Sequence, residues 1–215
     1  MKAAVKSTAK PAGKAKGAPV NRAPPPREVR IIGGQWKRSK LPVADAPGLR
    51  PTPDRVRETL FNWLGQDLSG WRCLDAFAGS GALGFEAASR GASQVLLLER
   101  ERRLARSLIE TKERLKADTV RVENTDALTW MARCAAASFE LVFIDPPFDS
   151  EAIVPALDAA LRVVVEGGYI YLEAAHALPP HAAEERGLRV HRQSRAGAVH
   201  FHLLQRVAAV SAAPA

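Results

Sequence analysis

From residue 73 onward, short apolar runs alternate with stretches that repeat at helical spacing, and this rhythm limits the possible folds more than any other feature of the chain. Residues 73–77, 95–99, 120–122, 139–145 and 168–173 read as strands, and 82–90, 102–115, 127–133 and 153–161 read as the helices between them. Strands separated by helices imply a parallel sheet covered on both faces, because each crossover carries the chain back over the sheet. The rhythm breaks at the end, where 188–192 and 199–206, linked around Ala196-Gly197, read as an antiparallel hairpin. The expected class is α/β: a Rossmann-like, doubly wound, mostly parallel seven-stranded sheet with an antiparallel C-terminal hairpin, preceded by a small basic N-terminal hairpin and helix.

A chain of 215 residues holds one such domain and some appendages, not two full-sized domains. Residues 1–27 contain no acid and almost no large apolar side chain, so they cannot bury enough surface to offset ordering entropy and are expected to be a disordered basic arm. Residues 28–71 form the expected basic extension, 72–206 the main domain and 207–215 a disordered Ala-rich tail. Within the extension, 29–36 and 37–41 read as strands around Gly33-Gly34, and Val56, Leu60, Phe61 and Leu64 recur at helical spacing. Thr52 before Pro53 suits a helix cap followed by proline in the first turn.

Charge is divided unevenly: residues 1–72 carry 15 Lys/Arg against 5 Asp/Glu, and 73–215 carry 16 against 18. Clustered cations gain affinity for polyanions through counterion release, so the N-terminal third is the candidate nucleic-acid contact, with Arg30, Lys37, Arg38 and Lys40 on the hairpin. A lysine-rich arm that only aids solubility is the alternative for residues 1–27. Cys73 and Cys134 have neither disulfide nor zinc spacing and read as reduced thiols. No apolar run approaches the roughly 18 residues of a membrane span and no secretory signal opens the chain, so a cytoplasmic protein is expected.

Gly79-Ser80-Gly81-Ala82-Leu83-Gly84 follows the first strand and opens a helix, the arrangement that brings backbone close to a ligand. Dinucleotide-binding folds use the same turn, and Glu99, twenty residues after Gly79, suits a ribose diol in either case. Asp75 separates the two, since an acid there repels a pyrophosphate but receives a cation. S-adenosylmethionine carries a sulfonium and an ammonium and no phosphate. Asp126, after the third strand, either accepts from the adenine amino group or simply caps the next helix.

Asp145-Pro146-Pro147-Phe148 emerges from the fourth strand at the carboxyl edge of the sheet, where open α/β folds bind ligands. Two prolines hold the backbone extended and fix where the Asp145 carboxylate and Pro146 carbonyl point. An arylamine is a poor nucleophile because its lone pair is delocalised; if both its protons are held, the nitrogen can pyramidalise and aim that lone pair at a methyl donor. Phe148 would stack on a base rotated out of its pairing. A Pro-Pro loop with an inward-packing aromatic is the structural alternative.

These pieces, with Arg30-Ile31-Ile32-Gly33-Gly34 and the run from Arg50 through Thr52 and Arg55 to Asn62, resemble the class I methyltransferases and, among them, the bacterial 16S rRNA guanine-N2 methyltransferase family called RsmD. The resemblance covers residues 29–206. It implies methylation of a guanine N2 in small-subunit rRNA, with the assembled 30S subunit rather than bare RNA as substrate and a monomeric enzyme. It further implies that Asp75, Phe77, Ala78, Gly79, Gly81, Glu99, Arg100, Asp126, Ala127 and Asp145 hold the cofactor, and that Asp145, Pro146, Pro147 and Phe148 are catalytic. Arg50, Thr52 and Arg55 would border the active site, a capping and ion-pairing role being the alternative. An adenine-N6 DNA methyltransferase and a noncatalytic ribosome-assembly factor stay open as rival functions. His200 and His202 share a strand face, but no third metal ligand is evident, and half-exposed hairpin histidines are the expectation. Arg102, Arg103, Arg106 and Arg114 read as a solvated helix face.

Overall fold

The structure is a computed structural model that describes residues 28–44, 52–146 and 152–207. The arm 1–27, the segment 208–215, Arg50, Pro147 and Phe148 lie outside the described residues. Strands β1 (Glu28–Arg30) and β2 (Lys40–Pro42) pair antiparallel and are followed by helix α1 (Asp54–Trp63). The main domain then runs β3 (Arg72–Asp75), α2 (Ala82–Ser89), β4 (Gln94–Glu99), α3 (Arg102–Leu115), β5 (Val120–Asn124), α4 (Ala127–Arg133), β6 (Phe139–Ile144), α5 (Ile153–Val163), β7 (Val164–Ala174), α6 (Pro180–Glu184), β8 (Leu188–Ala196) and β9 (Val199–Arg206).

The seven strands lie in the order β5-β4-β3-β6-β7-β9-β8, with β3 to β7 parallel and β9 antiparallel to both its neighbours. Buried side chains of β3 and β6 alternate between two cores: Cys73, Leu141 and Phe143 pack on the α1/α2 side, and Leu74, Val142 and Ile144 on the α4/α5 side. A strand covered on both faces has no polar side to show, which is why these runs are continuously apolar. The chain winds outward from β3 to β5 and then returns to β6 on the other side of β3. The switch in winding direction falls between β3 and β6, the place where a crevice opens at the strands' carboxyl ends.

The N-terminal extension differs from its expected form. Its strands are only three residues each, and Gly33-Gly34 is a docking point rather than the turn between them. The Ile32 and Gly33 amides each donate to the Glu86 carboxylate at 2.8 Å, and the Gln35 and Trp36 amides donate to the Ser89 carbonyl and hydroxyl at 2.7 and 2.9 Å. Gly34 has φ +72° and a Cβ there would run into the Ser89 carbonyl, so the approach requires glycine. Glu86 also receives Arg57 Nη1 at 3.2 Å and Arg90 Nε at 2.9 Å, all three side chains being buried. One carboxylate thus ties the extension, α1 and α2 together. Thr52 does not cap α1: Pro53 holds that position without a side-chain bond, and the Thr52 carbonyl accepts from Arg57 Nε at 3.2 Å.

Other boundaries moved for local reasons. β7 begins four residues early and passes through Gly167-Gly168 with a register shift against β6, and the five-residue α6, opened by Pro179-Pro180, had no sequence expectation. His202 is buried rather than half-exposed, its Nε2 accepting from the Leu178 amide at 3.0 Å. Cys73 is buried and Cys134 partly so, both free thiols. Among the described residues no helix is long and apolar enough to cross a membrane.

Replacing Glu86 with alanine leaves Arg57 buried without its partner and orphans two amides, so Glu86→Ala is expected to cost about 3–5 kcal/mol. Urea unfolding of the two proteins measures this, and a loss below ~1 kcal/mol would show that the extension is held some other way.

Candidate active site

Three parallel strands end side by side in acids. Asp75 lies opposite Phe143 in the β3/β6 register, and Ile144 lies opposite Leu172 in the β6/β7 register, so Asp75, Asp145 and Glu173 reach the same sheet edge at the switch point. Asp75 is 2% and Glu173 6% exposed, while Asp145 is mostly buried. The Thr52 hydroxyl donates to Asp145 Oδ2 at 3.4 Å, and the Tyr171 hydroxyl donates to Glu173 Oε1 at 2.8 Å. Among the described residues no Lys, Arg or His nitrogen comes within 4.0 Å of any of the three carboxylates.

Burial without a counter-cation disfavours the charged forms. Asp75 is pushed up to about 7, first by burial and then by the charge of Glu99, against the Gly84 and Phe77 amides that donate to it. Asp145 is raised well above the usual carboxylate range by burial, then by Glu173 and Asp75, with the Thr52 hydroxyl opposing. Glu173 is raised by burial against hydrogen bonds from Tyr171 and Thr52. Thr52, close to both acids, gives its one hydroxyl proton to Asp145.

The glycine turn lies alongside. Gly79 and Gly81 both have positive φ, and a Cβ on Gly81 would lie 2.6 Å from Phe85 and 2.7 Å from Leu108. Asp75 Oδ2 accepts from the Gly84 amide at 3.0 Å, so this acid also pins α2 to the sheet. Glu99 accepts from the Gly79 amide at 2.9 Å and, through its other oxygen, from the Glu101 amide at 2.7 Å. Each of those oxygens keeps a lone pair for a further donor. Asp126 caps α4 by accepting from the Thr129 amide at 2.9 Å, and that contact, ahead of any other, lowers its carboxyl below the ordinary range. The Asn124 side-chain amide donates to the Glu99 and Arg100 carbonyls, tying the end of β5 to the end of β4.

The family described as Conserved hypothetical protein 95 matches residues 29–205. Ribosomal RNA small subunit methyltransferase D of Escherichia coli is 42% identical over 189 residues, covering 84% of this chain and 91% of that protein. The chain belongs to this methyltransferase family. The solved structure of yhhF from Escherichia coli superposes with a TM-score of 0.73 at 38% identity, covering 84% of this chain and 98% of that one. A second methylase structure, from Haemophilus influenzae, gives 0.70 at 33% identity over 84% of this chain and 99% of its own.

Within this methyltransferase-family fold, Asp75, Phe77, Ala78, Gly79, Gly81, Glu99 and Asp145 surround the carboxyl ends of β3, β4 and β6, and Arg100, Asp126 and Ala127 lie one strand further out, at the junctions after β4 and β5. The basic residues do not gather at one place. Arg55 is exposed in the first turn of α1, close to Thr52 and the acids, whereas Lys37 lines a polar cleft with Asn62 and Gln66 toward the other end of that helix, about 10 Å along it. Lys40 is ion-paired with Glu28 at 2.7 Å, and Arg30 and Arg38 are exposed. Glu173 and Tyr171 had been passed over in the sequence. Their signal was there, since the runs ending at Asp75, Glu99, Asp145 and Glu173 are each an apolar strand closed by an acid.

The folded chain holds a proton on Asp75 that the unfolded chain releases near 3.8, so this residue's ionisation costs stability as pH rises from about 4 to about 7. Half-buried His191 and buried His202, lowered mainly by burial, act oppositely, so the informative quantity is a difference between variants. Asp75→Asn is expected to gain on the wild type by up to ~4 kcal/mol between pH 4 and 7 without ligand. Chemical unfolding across that range checks it; parallel curves would mean that Asp75 is charged throughout.

Proposed function

We propose that this chain is an S-adenosylmethionine-dependent methyltransferase acting on the exocyclic N2 of a guanine in small-subunit ribosomal RNA, within the assembled 30S subunit. The observation that carries the reading is the acidic edge at the switch point: Asp145, held by Thr52, beside buried Asp75 and the glycine turn, with no cation of the described chain to balance it. Such a site fits a cationic ligand that has no phosphate. The family relatives named for ribosomal RNA supply the substrate class, and the DPPF box supplies the amine.

The cofactor, when bound, supplies an electrophilic methyl group on a sulfonium. Asp75 would face its positive charge, and Gly79 and Gly81, with Phe77 and Ala78, would bring backbone against it. Glu99 would use its remaining lone pairs for the ribose hydroxyls. Asp126, Ala127 and Arg100 would border the adenine, Asp126 keeping its cap while its second oxygen accepts from the amino group.

On the acceptor side, the Asp145 carboxylate and the Pro146 carbonyl would each accept a hydrogen bond from one amine N–H, leaving the nitrogen lone pair free to point at the methyl. Methylation leaves that nitrogen with one proton in excess. Asp145 is a stronger base than an ordinary carboxylate because burial and Glu173 raise it, so it is suited to carry the proton away. The Thr52 hydroxyl orients that carboxylate. Pro147 would keep the loop extended, and Phe148 would stack on the base once it leaves its pairing. Arg50 and Arg55 would hold phosphates next to the target base, while Arg30, Lys37, Arg38 and Lys40 would meet RNA farther off.

Asp145→Ala is expected to lower methyl transfer by on the order of 10²–10⁴-fold while cofactor binding stays measurable. Radiolabel transfer to 30S subunits followed by nucleoside digestion tests both halves: N2-methylguanosine is the predicted product. N6-methyladenosine would overturn the acceptor, and undiminished transfer would remove Asp145 from the chemistry.

A further inference from the structure

The charge of residues 73–215 sums to a slight excess of acid, and that total hides a strongly basic element. Residues 188–206, the hairpin of β8 and β9, contain four arginines, three histidines and no acid. Arg206 is used internally, donating to the Leu161 and Val164 carbonyls at 3.1 and 2.6 Å. Arg189, Arg192 and Arg195 each make one local bond to a neutral acceptor, the Gln205 side-chain oxygen at 2.6 Å, the His191 carbonyl at 2.8 Å and the Gly197 carbonyl at 2.6 Å. All three are exposed on β8, the edge strand of the sheet, and among the described residues none lies within 4.0 Å of a carboxylate.

Strand geometry aligns the first two. In a regular strand Arg189 and Arg192, three apart, would point to opposite faces. The register between β8 and β9 shifts at His191, so that Arg189 lies opposite Gln205 and Arg192 opposite Leu203. Gln205 and Leu203 are two apart and share a face, and the bulge therefore brings both arginines to that face. The same face carries an aromatic row: Trp71 and Tyr169 are stacked, with centroids 5.9 Å apart and planes at 9°, and the His191 ring meets Tyr169 edge-on at 5.4 Å. All three rings are partly exposed. Arg192 also shares its rung with Tyr171, two residues short of Glu173 on the same face of β7, whereas Arg195, three residues further along regular strand and paired with His200, points to the opposite face. From the Glu173 rung back to the Tyr169 rung this face runs for about 13 Å of strand.

We infer that Arg189 and Arg192 of β8, with the Trp71-Tyr169-His191 row, form a second RNA-contacting surface on the sheet face that leads to the catalytic edge, separate from the N-terminal basic hairpin. Guanidinium groups without acidic partners are suited to phosphates, and partly exposed rings are suited to unstacked bases. The surface names where the RNA runs after leaving the site and so rests on the reading of the chain as an RNA methyltransferase. Exposed charge on an edge strand also discourages strand-to-strand aggregation, and the test separates the two roles.

The experiment measures binding of the full chain to a small-subunit rRNA transcript over a potassium chloride series, beside methyl transfer to 30S subunits. The double variant Arg189→Ala, Arg192→Ala is expected to weaken RNA binding roughly 10- to 100-fold and to lower the slope of log affinity against log salt by about two, with cofactor affinity unchanged. The corresponding double lysine variant, which keeps the charge, should retain most of the slope. Unchanged affinity and slope in the alanine variant overturn the inference, including when that variant aggregates more readily. A loss seen only on 30S subunits, with no change of salt slope, overturns it in favour of a ribosomal-protein contact. Wild-type protein that binds the transcript through these arginines but transfers no methyl to rRNA would refute the enzymatic reading and leave the surface standing.

Discussion

Three carboxyl groups closing neighbouring parallel strands inside a low-dielectric cleft are the constraint around which this molecule is arranged. Asp75, Asp145 and Glu173 are adjacent because β3, β6 and β7 run in the same direction in close register, and an antiparallel neighbour would have sent one of them to the opposite edge. Burial raises all three, and the raised groups compete for protons that a cationic ligand would displace. The fold keeps these unpaired acids in place by hydrogen bonds from Gly84, Thr52 and Tyr171 rather than by ion pairs.

The N-terminal extension is part of the same arrangement. Thr52 reaches Asp145 only because α1 is fixed, and α1 is fixed through Arg57, which grips the Thr52 carbonyl on one side and Glu86 on the other. Glu86 in turn holds the loop containing Gly33. A buried ion pair of this kind is weak evidence for stability but strong evidence for geometry, since each partner would be costly to leave alone. The hairpin is thereby connected to the orientation of the Asp145 carboxylate through three side chains.

Much of this was legible in the sequence. The order of strands and helices followed from apolar periodicity, the bounds of α3 and α4 were read to the residue, and the glycine turn and Asp145 were placed by their position after strands. What was not legible is lateral. Glu173 joins the site through pairing of β7 with β6, and one-dimensional spacing carries no record of which strands become neighbours. Gly33-Gly34 looked like a turn because its partner in space, Glu86 to Ser89, lies more than 50 residues away. Thr52 had a plausible local role as a cap that a distant acid took over. The bulge at His191, which aligns Arg189 with Arg192, likewise depends on β9.

If the acidic edge exists to receive a cation, docking of S-adenosylmethionine must expel protons from it. Calorimetric titration of the full chain near pH 6.5, in buffers of differing ionisation enthalpy, counts them directly. The account predicts net proton release on binding S-adenosylmethionine, and less for S-adenosylhomocysteine, which lacks the sulfonium charge. Binding with no proton release, or with equal release for both compounds, would contradict it.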